Sequence, residues 1–225
     1  MPPVRHVIYL HGFTSSPASS KAARFARELR ARGVGFSCPD FNEPAFETMT
    51  VTRMVEQTRR EIAAAGDGPV ALVGSSLGAF VAMFAATANR AETAQAATPR
   101  VDRLIFLAPA LDFNASRLRT LGQQGIDEWR RRGLLEVFHY GFGRRMQIAY
   151  ATHEDAQQYD AFALDVPWPT LVYQGTLDTL VDPRMVERWA AAHATVDLHL
   201  VKDDHQLAES VDAIWRTSEA FLGLA

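Results

Sequence analysis

With a single cysteine, Cys38, the 225-residue chain has no internal disulfide to form, so nothing in it calls for an oxidising compartment. The thiol sits on a short apolar run, Gly35 to Cys38, where a free cysteine is expected to be packed rather than nucleophilic. No long uninterrupted hydrophobic run is present. The first ten residues lead straight into a strand-like segment with no small-residue cleavage site, so neither a signal peptide nor a membrane span is expected, and the expected location is the cytoplasm. Charge of one sign is also scarce. A net charge of −3 and a pI near 6.2 offer nucleic acid or an anionic membrane no broad electrostatic attraction, so a small, nearly neutral molecule is the more natural partner. No His or Cys pair has metal-ligand spacing, and the acidic pair Asp203-Asp204 reads as a solvated loop, so neither metal nor cofactor is expected. Internal repeats and low-complexity tracts are missing too. Hydrophobic residues at 48% and charged residues at 22% are ordinary for one globular domain spanning residues 1–225.

Short apolar and β-branched runs alternate with longer helical patterns, as in a parallel sheet covered on both faces. The strands are Val4–Leu10, Phe36–Cys38, Val70–Val73, Leu104–Leu107, Leu171–Gln174 and Val196–Val201. Helices are expected at Ser19–Arg32, Thr50–Ala65, Ser76–Ala88, from Pro183, and at Leu207–Phe221. The fold class is therefore α/β, a doubly wound and mostly parallel six-stranded sheet. Between residues 112 and 165 the alternation fails, in a stretch rich in arginine and aromatics. A span of that length without strands predicts a helical insertion, a cap whose aromatics line an apolar pocket while its arginines face water.

Four segments carry chemistry. Val70-Ala-Leu-Val-Gly-Ser-Ser-Leu-Gly78 is an apolar strand, a Gly-x-Ser-x-Gly turn and a helix start, the context in which a tight turn lifts the central hydroxyl, Ser76, above the sheet. Leu10-His-Gly-Phe-Thr-Ser-Ser-Pro17 leaves the first strand at the same carboxyl edge; the amides of Phe13 and Leu77 are the expected oxyanion donors. Asp178, in Gly175-Thr-Leu-Asp178-Thr-Leu-Val181, follows another strand and is placed to orient a histidine. Asp182 directly precedes the helix-opening Pro183 and reads as an N-cap. His205 follows the last strand in a polar loop, whereas His199 lies within the strand and His193 in the preceding helix. His6, His139 and His153 show no partner pattern. Chain order is Ser76, Asp178, His205.

On these segments the chain resembles the α/β-hydrolase superfamily, and HGFTSSP with GSSLG is most similar to small bacterial YqiA-type esterases. The resemblance implies ester, thioester or amide hydrolysis through an acyl-enzyme, with catalytic Ser76, Asp178 and His205 and no cofactor. The expected reaction is cleavage of carboxylic esters of small or medium acyl chains. Two alternatives stay open. An aminopeptidase or amidase on the same residues would use cap carboxylates such as Asp127, Glu128, Glu136, Glu154, Asp155 or Asp160 to receive an amine, and an interaction protein could keep the fold without catalysis.

Overall fold

The computed structural model describes residues 2–93 and 100–225. Six strands form one parallel sheet: β1 His6–Leu10, β2 Gly35–Ser37, β3 Pro69–Ser75, β4 Arg100–Leu107, β7 Thr170–Gly175 and β8 Val196–Val201. Their order is β2-β1-β3-β4-β7-β8. The order reverses beside β1, so the carboxyl ends of β1 and β3 flank the point where open α/β sheets hold their ligands. Each of the six expected strands is present within a few residues of its expected bounds.

Period-two alternation divides β1 between two cores. Ile8 and Leu10 face one side, which is covered by α2 (Val51–Ala64), α3 (Leu77–Thr93) and α6 (Pro183–Ala191); Val7 and Tyr9 face α1 (Ser20–Arg30) and α7 (Val211–Phe221). Helix α1 buries Ala22, Phe25, Ala26 and Leu29, one stripe at helical spacing, and Ser19 caps it by accepting from Ala22 N–H. Thr50 caps α2 in the same way through Arg53 N–H at 3.1 Å. Helix α7 starts four residues later than expected, because Leu207 sits at φ +52° in the turns that follow His205.

Residues 112–165 differ from the wholly helical insertion expected. They hold α4 (Phe113–Arg132), kinked at Gly122, then an antiparallel hairpin of β5 (Leu134–His139) and β6 (Arg144–Ala149), then the short α5 (Ala151–Ala156). The hairpin escaped notice because its outward positions carry Glu136, Arg144, Arg145 and Gln147, which leave no continuous apolar run. Trp129 fastens it to α4 by donating from Nε1 to the Ile148 carbonyl at 3.1 Å. Cys38 is half-buried rather than fully packed, and burial, with Asp40 and Glu61 nearby, pushes its thiol up to about 12.

Candidate active site

Ser76 stands between β3 and α3 at φ +53°, a left-handed conformation costly for a residue with a side chain. Its N–H donates to Leu107 O at 2.9 Å and its carbonyl accepts from Ala79 N–H (3.1 Å) and Ala110 N–H (3.2 Å), so the turn is tied to β4 and to the start of the insertion. The flanking glycines are required by space. A Cβ on Gly78 would stand 1.9 Å from Leu10 O, and one on Gly74 would stand 2.4 Å from Ala79 Cα. Helix α3 can therefore press against β1 only where it lacks a side chain.

The three side chains picked from sequence are brought together. His205 Nε2 lies 3.1 Å from Ser76 Oγ, and His205 Nδ1 lies 2.8 Å from Asp178 Oδ2. The carboxylate can only accept, so Nδ1 carries the ring proton and Nε2 presents its lone pair to the serine hydroxyl. Asp178 also accepts Leu180 N–H (2.8 Å) and Val181 N–H (2.9 Å) at Oδ1, and Gln174 Nε2 (2.9 Å) at Oδ2. Burial alone would raise its pKa. The His205 hydrogen bond, the Val181 amide and Gln174 outweigh burial and hold the carboxyl below its ordinary range, so it stays charged. Asp182 instead caps α6 by accepting Arg184 N–H at 2.9 Å.

The His205 loop is braced from below. Asp203 is buried, and its carboxylate accepts Asp204 N–H (2.8 Å) and Ser210 N–H (2.9 Å); this corrects its reading as a solvated residue. Leu177 N–H donates to Asp203 O at 3.0 Å, joining the His205 loop to the Asp178 turn, and Lys21 Nζ donates to the Gln206 carbonyl. Gln174 and Lys21 went unmarked in the sequence, since neither sits in a motif.

A cavity of about 370 Å³ opens over Ser76. Phe13, Leu77 and His205 lie in its wall, and the insertion contributes Asp112, Phe113, Val137, Phe138 and Tyr140. Leu77 is the first residue of α3, so its N–H has no acceptor within the helix. His11 also lies in the cavity wall, whereas three other histidines are engaged elsewhere: His199 is 3.2 Å from Asp197 and stacks on Tyr173, His193 contacts the Trp189 and Leu164 carbonyls, and His6 contacts Ser37 Oγ. Among the described residues no cluster of three or more His, Cys, Asp or Glu is placed to hold a metal ion, and no helix is long and apolar enough to cross a membrane.

A family model for the uncharacterised protein family UPF0227 matches residues 6–222. The chain belongs to UPF0227. This agrees with the YqiA-type resemblance of its first eighty residues. Curated proteins give no match to this UPF0227 chain. Solved structures do. A candidate hydrolase from Agrobacterium vitis S4 shares 24% identity at TM-score 0.85, over 97% of this chain and 88% of that one. The mouse α/β-hydrolase domain-containing protein 10 shares 20% at TM-score 0.78, over 100% and 93%. Est1E from Butyrivibrio proteoclasticus, solved with ferulic acid bound, shares 19% at TM-score 0.78, over 98% and 88%. The UPF0227 chain thus has the α/β-hydrolase fold.

Proposed function

We propose that this protein is a serine hydrolase that cleaves carboxylic esters, thioesters included, of small or medium acyl chains through an acyl-enzyme. The observation that carries the reading is the continuous hydrogen-bonded run from Ser76 Oγ through the His205 ring to Asp178, lying in the wall of a cavity. The Agrobacterium and mouse proteins add hydrolase names on the same fold.

The reaction follows from the proton positions. His205 Nε2 takes the Ser76 Oγ proton as the oxygen attacks the substrate carbonyl, and Asp178 steadies the imidazolium that forms. The carbonyl oxygen becomes an oxyanion, to which the Phe13 and Leu77 amides donate. His205 returns the proton to the departing alkoxide, leaving Ser76 acylated. Water enters, gives a proton to the same nitrogen and attacks the acyl carbon; as the intermediate collapses Nε2 returns that proton to the departing Ser76 Oγ, which restores the serine and releases the acid.

An amine-binding variant of this chemistry needs a free carboxylate near the serine. Among the described residues of the insertion, Asp112 is the one carboxylate in the cavity wall, and Arg119 Nη1 pairs with it at 2.5 Å, so esters fit better than peptides. The test is covalent labelling by a fluorophosphonate, read by peptide mapping, beside hydrolysis of a p-nitrophenyl ester series. Ser76→Ala should abolish label and turnover with little change in Tm. Ser75→Ala should keep the label, since Ser75 ends β3 below the turn. Phosphonate on any residue other than Ser76 would overturn the reading.

A further inference from the structure

His139, at the end of β5, is fully buried although it touches neither Ser76 nor His205 in any hydrogen bond. Its Nδ1 accepts Phe142 N–H at 3.1 Å, so Nε2 carries the proton and donates to Asn42 Oδ1 at 2.9 Å. Asn42 is itself buried, and its Nδ2 donates to Ser15 O (3.0 Å) and to Asp40 Oδ1 (2.7 Å). A path of two side chains therefore runs from the hairpin of the insertion to the loop that carries Phe13. Backbone runs beside it: Gly141 N–H donates to Thr14 O at 3.0 Å. A Cβ on Gly141 would stand 3.0 Å from the Ser15 carbonyl carbon, so the hairpin turn seats tightly against the 11–16 loop.

What is being held has a reason to move. Thr14 adopts φ +56°, a strained conformation for a β-branched residue. Released from its contacts, the loop would relax toward ordinary backbone and carry the Phe13 amide with it. On the core side His11 Nε2 accepts Phe41 N–H and its Nδ1–H donates to Gly12 O, both at 3.0 Å, and within the loop Ser15 N–H donates to Gly12 O at 3.3 Å. The Phe13 ring packs between Phe46 (5.7 Å) and Phe113 (6.1 Å), Phe113 belonging to the insertion.

We infer that His139 is a positioning residue that, through Asn42, holds the strained 11–16 loop in place, so that the insertion completes the oxyanion pocket as well as covering it. The catalytic half of this rests on the esterase reading; the structural half does not. Two substitutions separate the roles of the ring nitrogens. H139Q places an amide N–H where Nε2 stands and keeps the bond to Asn42. H139N places an acceptor where Nδ1 stands, keeping the bond inside the hairpin and losing the one to Asn42.

Amide hydrogen exchange across residues 11–16 should quicken in H139N, and in N42A on the other side of the same bond, while H139Q stays close to wild type. In ester turnover kcat should fall about tenfold or more in H139N and N42A with KM changed less than threefold, since a displaced oxyanion donor loses part of the 10²–10³ that its removal costs. H139Q should retain most of kcat. Unchanged exchange in both H139N and N42A overturns the inference, as does loss in H139Q with H139N intact, which would confine His139 to closing its own hairpin. Absence of Ser76-dependent turnover in the wild type would overturn the esterase reading alone, and the exchange data would still decide the latch.

Discussion

His205 Nδ1–H donates to Asp178 Oδ2 at 2.8 Å, and that one bond decides which ring nitrogen presents its lone pair to Ser76. Replacement of Asp178 by Asn should reverse the tautomer, because an amide can donate to Nδ1 and drive the proton to Nε2. The serine would then face an N–H where it needs a lone pair. Turnover of p-nitrophenyl esters by D178N should fall by about four orders of magnitude, with fluorophosphonate labelling slowed to match.

The same carboxylate sets an acid limit on stability. Its folded pKa lies below the ordinary value of 3.8, so it contributes stability that is whole above that pH and is lost as pH falls through the depressed value. The difference in Tm between wild type and D178N should therefore shrink as pH is lowered beneath about 4. A difference that stays constant down to pH 2 would mean the charge of Asp178 contributes nothing.

A second pH effect belongs to His139. Burial first, and then His11, lower its pKa from 6.5 despite the opposing pull of Asp40, with Arg144 adding to the lowering. The neutral ring is the folded form, so the unfolded chain binds the extra proton between the depressed value and 6.5, and stability falls as pH drops through that window. Thermal unfolding followed from pH 7.5 to 5 should show a steeper loss in wild type than in H139Q. Parallel profiles would remove His139 as the titrating group.

Much of this architecture could be read from the sequence because each piece was local. Gly74-Ser-Ser-Leu-Gly78 states its turn in five residues, and the strand before it and the helix after it are visible as period and length. Asp178 and His205 lie just past apolar runs, where strand ends collect site residues. His139 and Asn42 offered no such signal, since their partnership spans 97 positions and depends on a hairpin whose outward charged residues hid its strands. The segment that leaves the first strand marks Phe13 but says nothing of His11, whose buried acceptance from Phe41 N–H is a tertiary fact. Reading by pattern finds what neighbours in sequence share, and the polar bridges here join segments that are not neighbours.

Arg103, on β4, is fully buried and donates to the carbonyls of Phe221 (2.6 Å) and Pro2 (2.7 Å) while pairing with Asp102 at 2.5 Å. One guanidinium thus ties together the two ends of the described chain. R103M should cost about 3 kcal/mol by leaving Asp102 and two carbonyls short of a donor. R103K should recover less than half of that loss, because a single ammonium cannot span three acceptors fixed around a planar fork. Chemical denaturation of the three proteins measures this, and equal stability of R103K and wild type would defeat the argument from geometry.

Val137, half-buried on β5, lines the cavity from the insertion beside Phe138. It packs against the edge of the core, and its side chain takes no part in the hydrogen bonds of His139. V137F should therefore fill acyl volume while leaving the oxyanion loop in place. A pocket discriminates by about 10- to 200-fold for a methylene it can or cannot accommodate. For V137F, kcat/KM on octanoyl esters should fall at least tenfold relative to acetyl esters, with acetyl turnover within about threefold of wild type. An unaltered chain-length profile in a folded V137F protein would place the acyl chain elsewhere in the cavity and reduce this part of the insertion to a wall without a reader's role.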